Sequence, residues 1–377
     1  MRNISILVKP ASSLCNMRCR YCFYTDEAEN RSIPNTGIMN EDISKLLIRS
    51  AFDAVGENGQ ISFAFQGGEP TLAGMDYFRH FVHMVSKMNH KRIPIHYALQ
   101  TNGLDLNAEW AAFFVENKFL VGISLDGDKT LHDEFRVDRA AKGTWARIVK
   151  KIDLMLRSGV DVNLLCVVTR RTAKNAVKVY HALKKTGVLY LQFIPCLDPI
   201  GETRGSMPYS LLPDDYGTFL CSLFDAWYLD WLGGHYTSIR LFDDYVHLAM
   251  GLPAGTCATS GSCGAYYVVE SDGSVYPCDF YSLDEWKLGN IRQTSLQELE
   301  RYDLAENFIK ESLRRPEECN SCSWKMLCFG GCKRDWVTDP SGVSRNYYCR
   351  AFQKLFSYAA SRIYKIAKEE SYIRNRY

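Results

Sequence analysis

Residues 60–71 read Gln60-Ile61-Ser62-Phe63-Ala64-Phe65-Gln66-Gly67-Gly68-Glu69-Pro70-Thr71, and this stretch decides the fold class. Ile61, Phe63 and Phe65 alternate with Ser62, Ala64 and Gln66, which is the period of a strand. The paired glycines and the proline stop it, and a helical period takes over across 71–89. The same succession recurs along the first half of the chain. Strand-like runs fall at 4–9, 60–66, 93–100, 119–125, 160–168 and 189–196. Between them lie helical patterns at 41–55, 71–89, 107–117, 144–158 and 172–186, the last starting at Thr172 as N-cap and stopping at Gly187. Six strands separated by helices predict a parallel sheet. Six units fall short of an eight-fold barrel, so the expected fold class is α/β, a partial (β/α)6 TIM-like barrel.

After about residue 205 this rhythm ends. A helical pattern over 213–232 carries Tyr216, Phe219, Phe224, Trp227, Tyr228 and Trp231, and Gly233-Gly234 closes it. We read it as a packing helix joining two domains, 1–235 and 236–377. The second is small and cysteine-rich, with one hairpin (Tyr266–Val269, Asp272-Gly273 as the turn, Val275–Pro277) and a final helix over 350–370. A length of 377 residues suits two or three domains. The net charge of +2 offers no field for nucleic acid or an acidic membrane. Residues 1–10 contain no signal-peptide core, and no apolar run approaches a membrane span. The expected setting is the cytoplasm, with no nucleic acid and no membrane as partner.

The 14 cysteines carry the chemistry. In a reducing compartment they are not disulfide staples, and their clustering reads as metal or catalytic sites. Cys15, Cys19 and Cys22 fall within eight residues, and eight more fall from Cys257 to Cys349. Cys166, Cys196 and Cys221 stand alone, Cys166 as a packing residue of a buried strand. Three thiolates can hold three irons of a 4Fe–4S cube and leave the fourth open to a chelating cofactor. The amino and carboxylate groups of S-adenosylmethionine suit that position, where one electron cleaves a C–S bond and yields a 5′-deoxyadenosyl radical. A zinc site or a four-cysteine cluster is the rival reading; either needs a fourth ligand, and no further Cys or His is near in sequence. The loops Gln66–Pro70, Gln100–Gly103 and Ser124–Gly127 each follow a strand, on the rim where parallel β/α folds place active sites.

Cys15-x3-Cys19-x2-Cys22 with Tyr21 resembles the signature of radical S-adenosylmethionine enzymes, and Gly67-Gly68-Glu69-Pro70 their glycine-rich loop. Phe65–Leu72, Cys278-Asp279-Phe280-Tyr281 and Asn346-Tyr347-Tyr348-Cys349 resemble the anaerobic sulfatase-maturating enzymes. That resemblance implies a partial barrel followed by a cysteine-rich SPASM domain. The implied activity is oxidation of a Cys or Ser of a sulfatase to Cα-formylglycine. It also implies cofactor contacts from Tyr21, Gly68, Ser124, Arg136 and Leu197. Residue pattern alone reads Arg136 as a surface helix charge and Leu197 as core.

Cys257, Cys263, Cys278, Cys319, Cys322, Cys328, Cys332 and Cys349 suffice for two closed four-cysteine sites, iron–sulfur or zinc. The resemblance assigns one auxiliary 4Fe–4S cluster to Cys257, Cys263, Cys278 and Cys332, and the other to Cys319, Cys322, Cys328 and Cys349, three clusters in all. It makes Asp279 the general base, where an aspartate near a turn is ordinarily a surface cap. Tyr24 and Gln66 are expected to hold the peptide. An electron leaves through the auxiliary clusters as Asp279 takes the proton. The expected partners are an unfolded or nascent sulfatase segment and an electron donor such as flavodoxin or ferredoxin, with the enzyme a monomer. A thioether- or crosslink-forming peptide maturase is the alternative. Many of those carry an N-terminal leader-binding domain, for which the fourteen residues before Cys15 leave no room. A non-enzymatic iron–sulfur or zinc module is the other.

Overall fold

The computed structural model describes residues 3–374 other than 57 and 265, so the outermost ends of the segments expected at 1–235 and 236–377 lie outside the described residues. Six parallel strands appear where the alternation places them: β1 (Ile4–Lys9), β2 (Ile61–Phe65), β3 (Ile95–Thr101), β4 (Phe119–Ser124), β5 (Asp161–Val168) and β6 (Tyr190–Pro195). They pair in chain order, and a two-residue β7 (Ser238–Ile239) extends the sheet beyond β6. The apolar face of β2 packs outward. Phe63 and Phe65 meet Phe81 and Phe78 of helix Met75–Met88 edge-on at ring-centroid distances of 5.2 and 4.9 Å. Ser62, Ala64 and Gln66 are left half-buried on the inner face. The barrel lining is therefore partly polar at its C-terminal end, where every β/α loop begins.

The hairpin also forms as expected, from β8 (Tyr267–Glu270) and β9 (Ser274–Tyr276), with Gly273 at φ +88° and Asp272 accepting from the Ser274 amide. Its location was not legible. β8 pairs in parallel with β1, and β10 (Gly289–Asn290) pairs with β9, so ten strands run as β10-β9-β8-β1-β2-β3-β4-β5-β6-β7. The cysteine-rich half thus continues the barrel sheet at its first edge. Helix Pro213–Leu232 buries Tyr216, Phe219, Phe224 and Trp227, and it packs along the final helix, Cys349–Arg374. Gly217 permits the approach, since a Cβ there would lie 3.1 Å from Ala351 Cα.

Some helices differ from expectation. The pattern at 172–186 is two helices, Arg170–Ala173 and Ala176–Lys184. Thr172 is not a cap; Thr169 is, its hydroxyl accepting from the Thr172 amide, and Asn175 precedes the second helix. The pattern at 71–89 is broken by Gly74 (φ +86°) into a 3₁₀ turn, Pro70–Ala73, and helix Met75–Met88. Helices Phe23–Glu29, Lys129–Phe135 and Arg240–Ala249 were not foreseen, because seven to ten residues give too few turns to establish a period. Among the described residues, no helix is long and apolar enough to cross a membrane.

Candidate active site

β1 delivers Lys9 and then the loop carrying Cys15, Cys19 and Cys22 to the C-terminal rim. The loop backbone is pinned on two sides. The amides of Arg18 and Arg20 donate to the carbonyls of Val137 (2.8 Å) and Phe135 (2.9 Å). Those of Gly68 and Glu69 donate to Ser12 (2.9 Å) and Leu14 (2.7 Å). Gly68 lies so close that a Cβ would stand 2.2 Å from the Leu14 carbonyl oxygen. The buried Glu69 carboxylate accepts from the Asn102 amide (2.8 Å), Thr101 Oγ1 (2.8 Å) and Thr71 Oγ1 (2.7 Å), joining the loops after β2 and β3. All three cysteines are unbridged and half-buried. Met17 N–H and Asn102 Nδ2 approach Cys15 Sγ at 3.4 and 3.8 Å, contacts of the kind that orient a thiolate ligand. Burial pushes the thiols of Cys15 and Cys19 up to about 11 and about 12, so binding of a metal must displace their protons.

Asp126, which the sequence marks only as a turn residue, is the hub beside this loop. Its Oδ2 accepts from Tyr21 Oη and from Arg136 Nε (2.9 Å), and its Oδ1 from the Val167 amide (2.9 Å). Its own amide donates to His132 Nδ1 (3.2 Å). That leaves His132 Nε2–H to donate to Thr144 Oγ1 (2.9 Å), whose hydroxyl donates to the Arg136 carbonyl (3.1 Å). Arg136 is 7% exposed, with its guanidinium 5.5 Å from the Tyr21 ring centroid. It is therefore not a surface helix charge: the Asp126 carboxylate compensates it inside. Ser124, at the end of β4, accepts from Gln100 Nε2 (3.2 Å), and Leu197 is buried just past β6, as its apolar character suggested. Tyr21 and Arg136 are brought together, while Gly68, Ser124 and Leu197 occupy the same rim on other loops.

The eight later cysteines separate into two groups. Burial raises the thiols of Cys263, Cys278 and Cys332, and Cys257 adds to the rise in each, so these four stand near one another. Cys319, Cys328 and Cys349 are likewise pushed up chiefly by burial and then by neighbouring cysteines, Cys322 among them. Cys319, Cys322, Cys328 and Cys349 line one cavity of about 530 Å³ together with Trp324 and Trp336. Among the described residues, no three His, Cys, Asp or Glu side chains converge on a single-ion position. A cavity lined by four cysteines has room for a polynuclear cluster.

Asp279 follows Cys278 and is 7% exposed, not a surface cap. Oδ2 accepts from Tyr24 Oη at 2.5 Å and from Gln66 Nε2 at 3.4 Å. Oδ1 lies 3.3 Å from Lys9 Nζ yet makes no hydrogen bond, so a buried lone pair is left free. Lys9 is buried with Glu27 Oε2 at 3.1 Å and Glu270 Oε1 at 3.8 Å, and Arg31 pairs with Glu270 at 2.7 Å. Burial alone would lower the Lys9 pKa; the carboxylates of Glu27, Asp279 and Glu270 outweigh it and keep the ammonium charged. Sequence reasoning missed Lys9, Glu27, Asp126 and His132. The available signal for Lys9 was its place on the inner face of β1, in line with Leu7.

The Radical SAM superfamily pattern matches residues 10–183, and that of the iron–sulfur cluster-binding SPASM domain matches residues 262–323. With the partial barrel and the cysteine loop, this defines a radical S-adenosylmethionine enzyme whose second half binds auxiliary 4Fe–4S clusters. The chain is 45% identical over 99% of its length, and 99% of the relative's, to a cysteine-type anaerobic sulfatase-maturating enzyme of Clostridium novyi. It belongs to the family of anaerobic sulfatase-maturating enzymes. A serine-type member from Klebsiella pneumoniae is 31% identical, covering 93% of this chain and 86% of that one. The solved structure of native anSMEcpe with bound AdoMet and Cp18Cys peptide has a TM-score of 0.92 and 42% identity, covering 98% of this chain and 99% of that one. The donors here fit the family's groups: Cys15, Cys19 and Cys22 stand unbridged on one loop, and the eight cysteines from Cys257 to Cys349 are unbridged as well.

Proposed function

We propose that this enzyme oxidises a cysteine in an extended sulfatase segment to Cα-formylglycine. The observation that carries the reading is the Tyr24–Asp279 hydrogen bond. Tyr24 stands two residues past Cys22 and Asp279 one past Cys278, so a single proton acceptor is built from both cysteine sites. Cys15, Cys19 and Cys22 would hold the first cluster, and Tyr21, Gly68, Ser124, Arg136 and Leu197 would line the S-adenosylmethionine position. When bound, that pair supplies a 5′-deoxyadenosyl radical able to take the Cβ hydrogen of the substrate. The free lone pair of Asp279 Oδ1 takes the thiol proton, while Tyr24, Gln66 and Lys9 fix the carboxylate. In total the residue loses a hydrogen atom to the radical, a proton to Asp279 and an electron that the auxiliary clusters would accept, and water then replaces the sulfur, which leaves as hydrogen sulfide. The cysteine preference rests on identity to the cysteine-type relative (45%) over the serine-type one (31%). We place the enzyme in the cytoplasm as a monomer, served by a small electron donor of the flavodoxin or ferredoxin kind, with residues 1–235 supplying the radical site and 236–377 the auxiliary clusters.

The test is anaerobic incubation of reconstituted enzyme with reductant, S-adenosylmethionine and a sulfatase-motif peptide, read by mass spectrometry. Loss of two hydrogens with sulfur-to-oxygen exchange, alongside 5′-deoxyadenosine, is expected. Deoxyadenosine with a crosslinked or unchanged peptide would overturn formylglycine formation.

A further inference from the structure

Arg204 and Arg334 stand near each other between the barrel rim and the cysteine-rich half, and Lys333 is the residue before Arg334; Lys333 and Arg204 have carboxylate partners. Lys333 Nζ lies 2.6 Å from Glu311 Oε2, and Arg204 approaches Asp335 at 3.4 Å and Asp198 at 3.8 Å. The guanidinium of half-buried Arg334 makes neither a hydrogen bond nor an ion pair among the described residues. Its guanidinium carbon stands 4.4 Å from the Phe280 ring centroid and 5.9 Å from that of Phe23. These rings are themselves 5.1 Å apart, and Phe23 continues into Tyr24 at 4.0 Å. Phe280 is the residue after Asp279, and Tyr24 donates to the Asp279 carboxylate. An aromatic wall therefore runs from the proposed base to a guanidinium whose donors are unspent.

We infer that Arg334 binds the peptide substrate, donating to main-chain carbonyls of the extended segment next to the reacting residue. This deepens the reading above and rests on the substrate being a peptide. Three arguments support it. A guanidinium stacked on a ring keeps its in-plane N–H donors free, and a planar fork suits carbonyls in an extended chain. Asp335, Asp26 and Cys332 lie near it against one further cation, Arg204, which is itself paired with Asp335 and Asp198, so the surroundings do not select an anion and a neutral acceptor fits better. Phe23 and Phe280 offer apolar contact to the intervening side chain, and at about 3.3 Å per residue an extended segment on Asp279 reaches Arg334 within a few residues.

The experiment uses the holoenzyme with S-adenosylmethionine and a fluorescein-labelled sulfatase-motif peptide whose reacting cysteine is alanine, so that binding is read without turnover. Arg334→Gln and Arg334→Lys should each weaken binding about tenfold or more, since lysine keeps the charge but not the fork. Iron content and the auxiliary-cluster midpoint potentials, by redox-poised EPR, should match the parent. Unchanged affinity in Arg334→Gln overturns the inference. So does unchanged affinity with shifted potentials, which would make Arg334 a group tuning the cluster beside Cys332. Affinity lost only together with iron would also overturn it, as a folding effect. A parent enzyme that binds the alanine peptide through Arg334 but leaves the cysteine peptide unoxidised would sink the formylglycine reading and leave this one standing.

Discussion

Asp279 illustrates how a carboxylate is kept both buried and usable. Tyr24 and Gln66 occupy one oxygen, and Lys9 stands against the other without filling its lone pair. Asp279→Asn keeps the size and the Tyr24 contact but cannot take a proton. It should cut peptide oxidation by about a hundredfold or more while iron content stays at the parent value. Full oxidation by the variant, read by mass spectrometry, would remove Asp279 from the proton step. His132 gives a second prediction at this scale. It is fully buried, with Nδ1 accepting from Asp126 and Nε2 donating to Thr144. Burial lowers its pKa to about 4; Arg136 adds to that, while Asp126 and Asp133 oppose it. The folded pKa is therefore below the unfolded value of 6.5. The stabilisation is complete above that value and is lost as pH falls through the interval down to about 4. By pH 5 the parent should have lost about 2 kcal/mol from this group, a loss absent in His132→Gln. Denaturation of both proteins at pH 7 and pH 5 checks it; equal losses would discard the assignment. The Cys triplet and Asp279 were visible from spacing and resemblance. Asp126 and His132 were not, because their function lies in partners distant in sequence, and an aspartate before glycine looks the same whether it caps a turn or anchors an arginine.

At the scale of elements, the rim is held by loops that bond to one another more than to solvent. Gly68 and Glu69 brace the cysteine loop through its carbonyls, and Glu69 binds the loop after β3. Gly68→Ala would drive a methyl into the Leu14 carbonyl, a backbone atom that cannot swing away. The cysteine loop must shift, so the variant should lose the first cluster's share of iron while both auxiliary clusters remain. Iron analysis with EPR reads this directly, and a full complement of iron with normal S-adenosylmethionine affinity would contradict it. The strands were legible because their alternation runs for five to eight residues against a buried face. The short helices were not, and the split at Lys174-Asn175 is a local backbone decision that side-chain periodicity does not encode.

For the whole molecule, the placement of β8 matters most. A hairpin read as part of a separate small domain instead pairs with β1 from Ile6 to Lys9, bringing Glu270 to Lys9 and, through the following turn, Cys278 and Asp279 to the barrel mouth. Nothing in the hairpin's own sequence names its neighbour, since a parallel pairing between residues as far apart as Ile6 and Tyr267 is set by the assembled sheet. Two further ties close the unit. The final helix buries Leu355, Phe356, Ala359 and Ile363 in the common core, and Arg362 pairs with Asp225 of helix Pro213–Leu232 at 2.7 Å. Removing residues 236–377 would strip β1 of its partner, leave Lys9 without Glu270 and Asp279, and expose the apolar face around Tyr216 and Phe219. An open strand edge beside an uncovered apolar helix favours association over folding. Residues 1–235 expressed alone should therefore be insoluble, or soluble only as large aggregates on size-exclusion chromatography. A monomeric fragment that takes up one cluster would show that the barrel folds without its added strands, and that the shared sheet positions Asp279 without stabilising the half that carries the radical site.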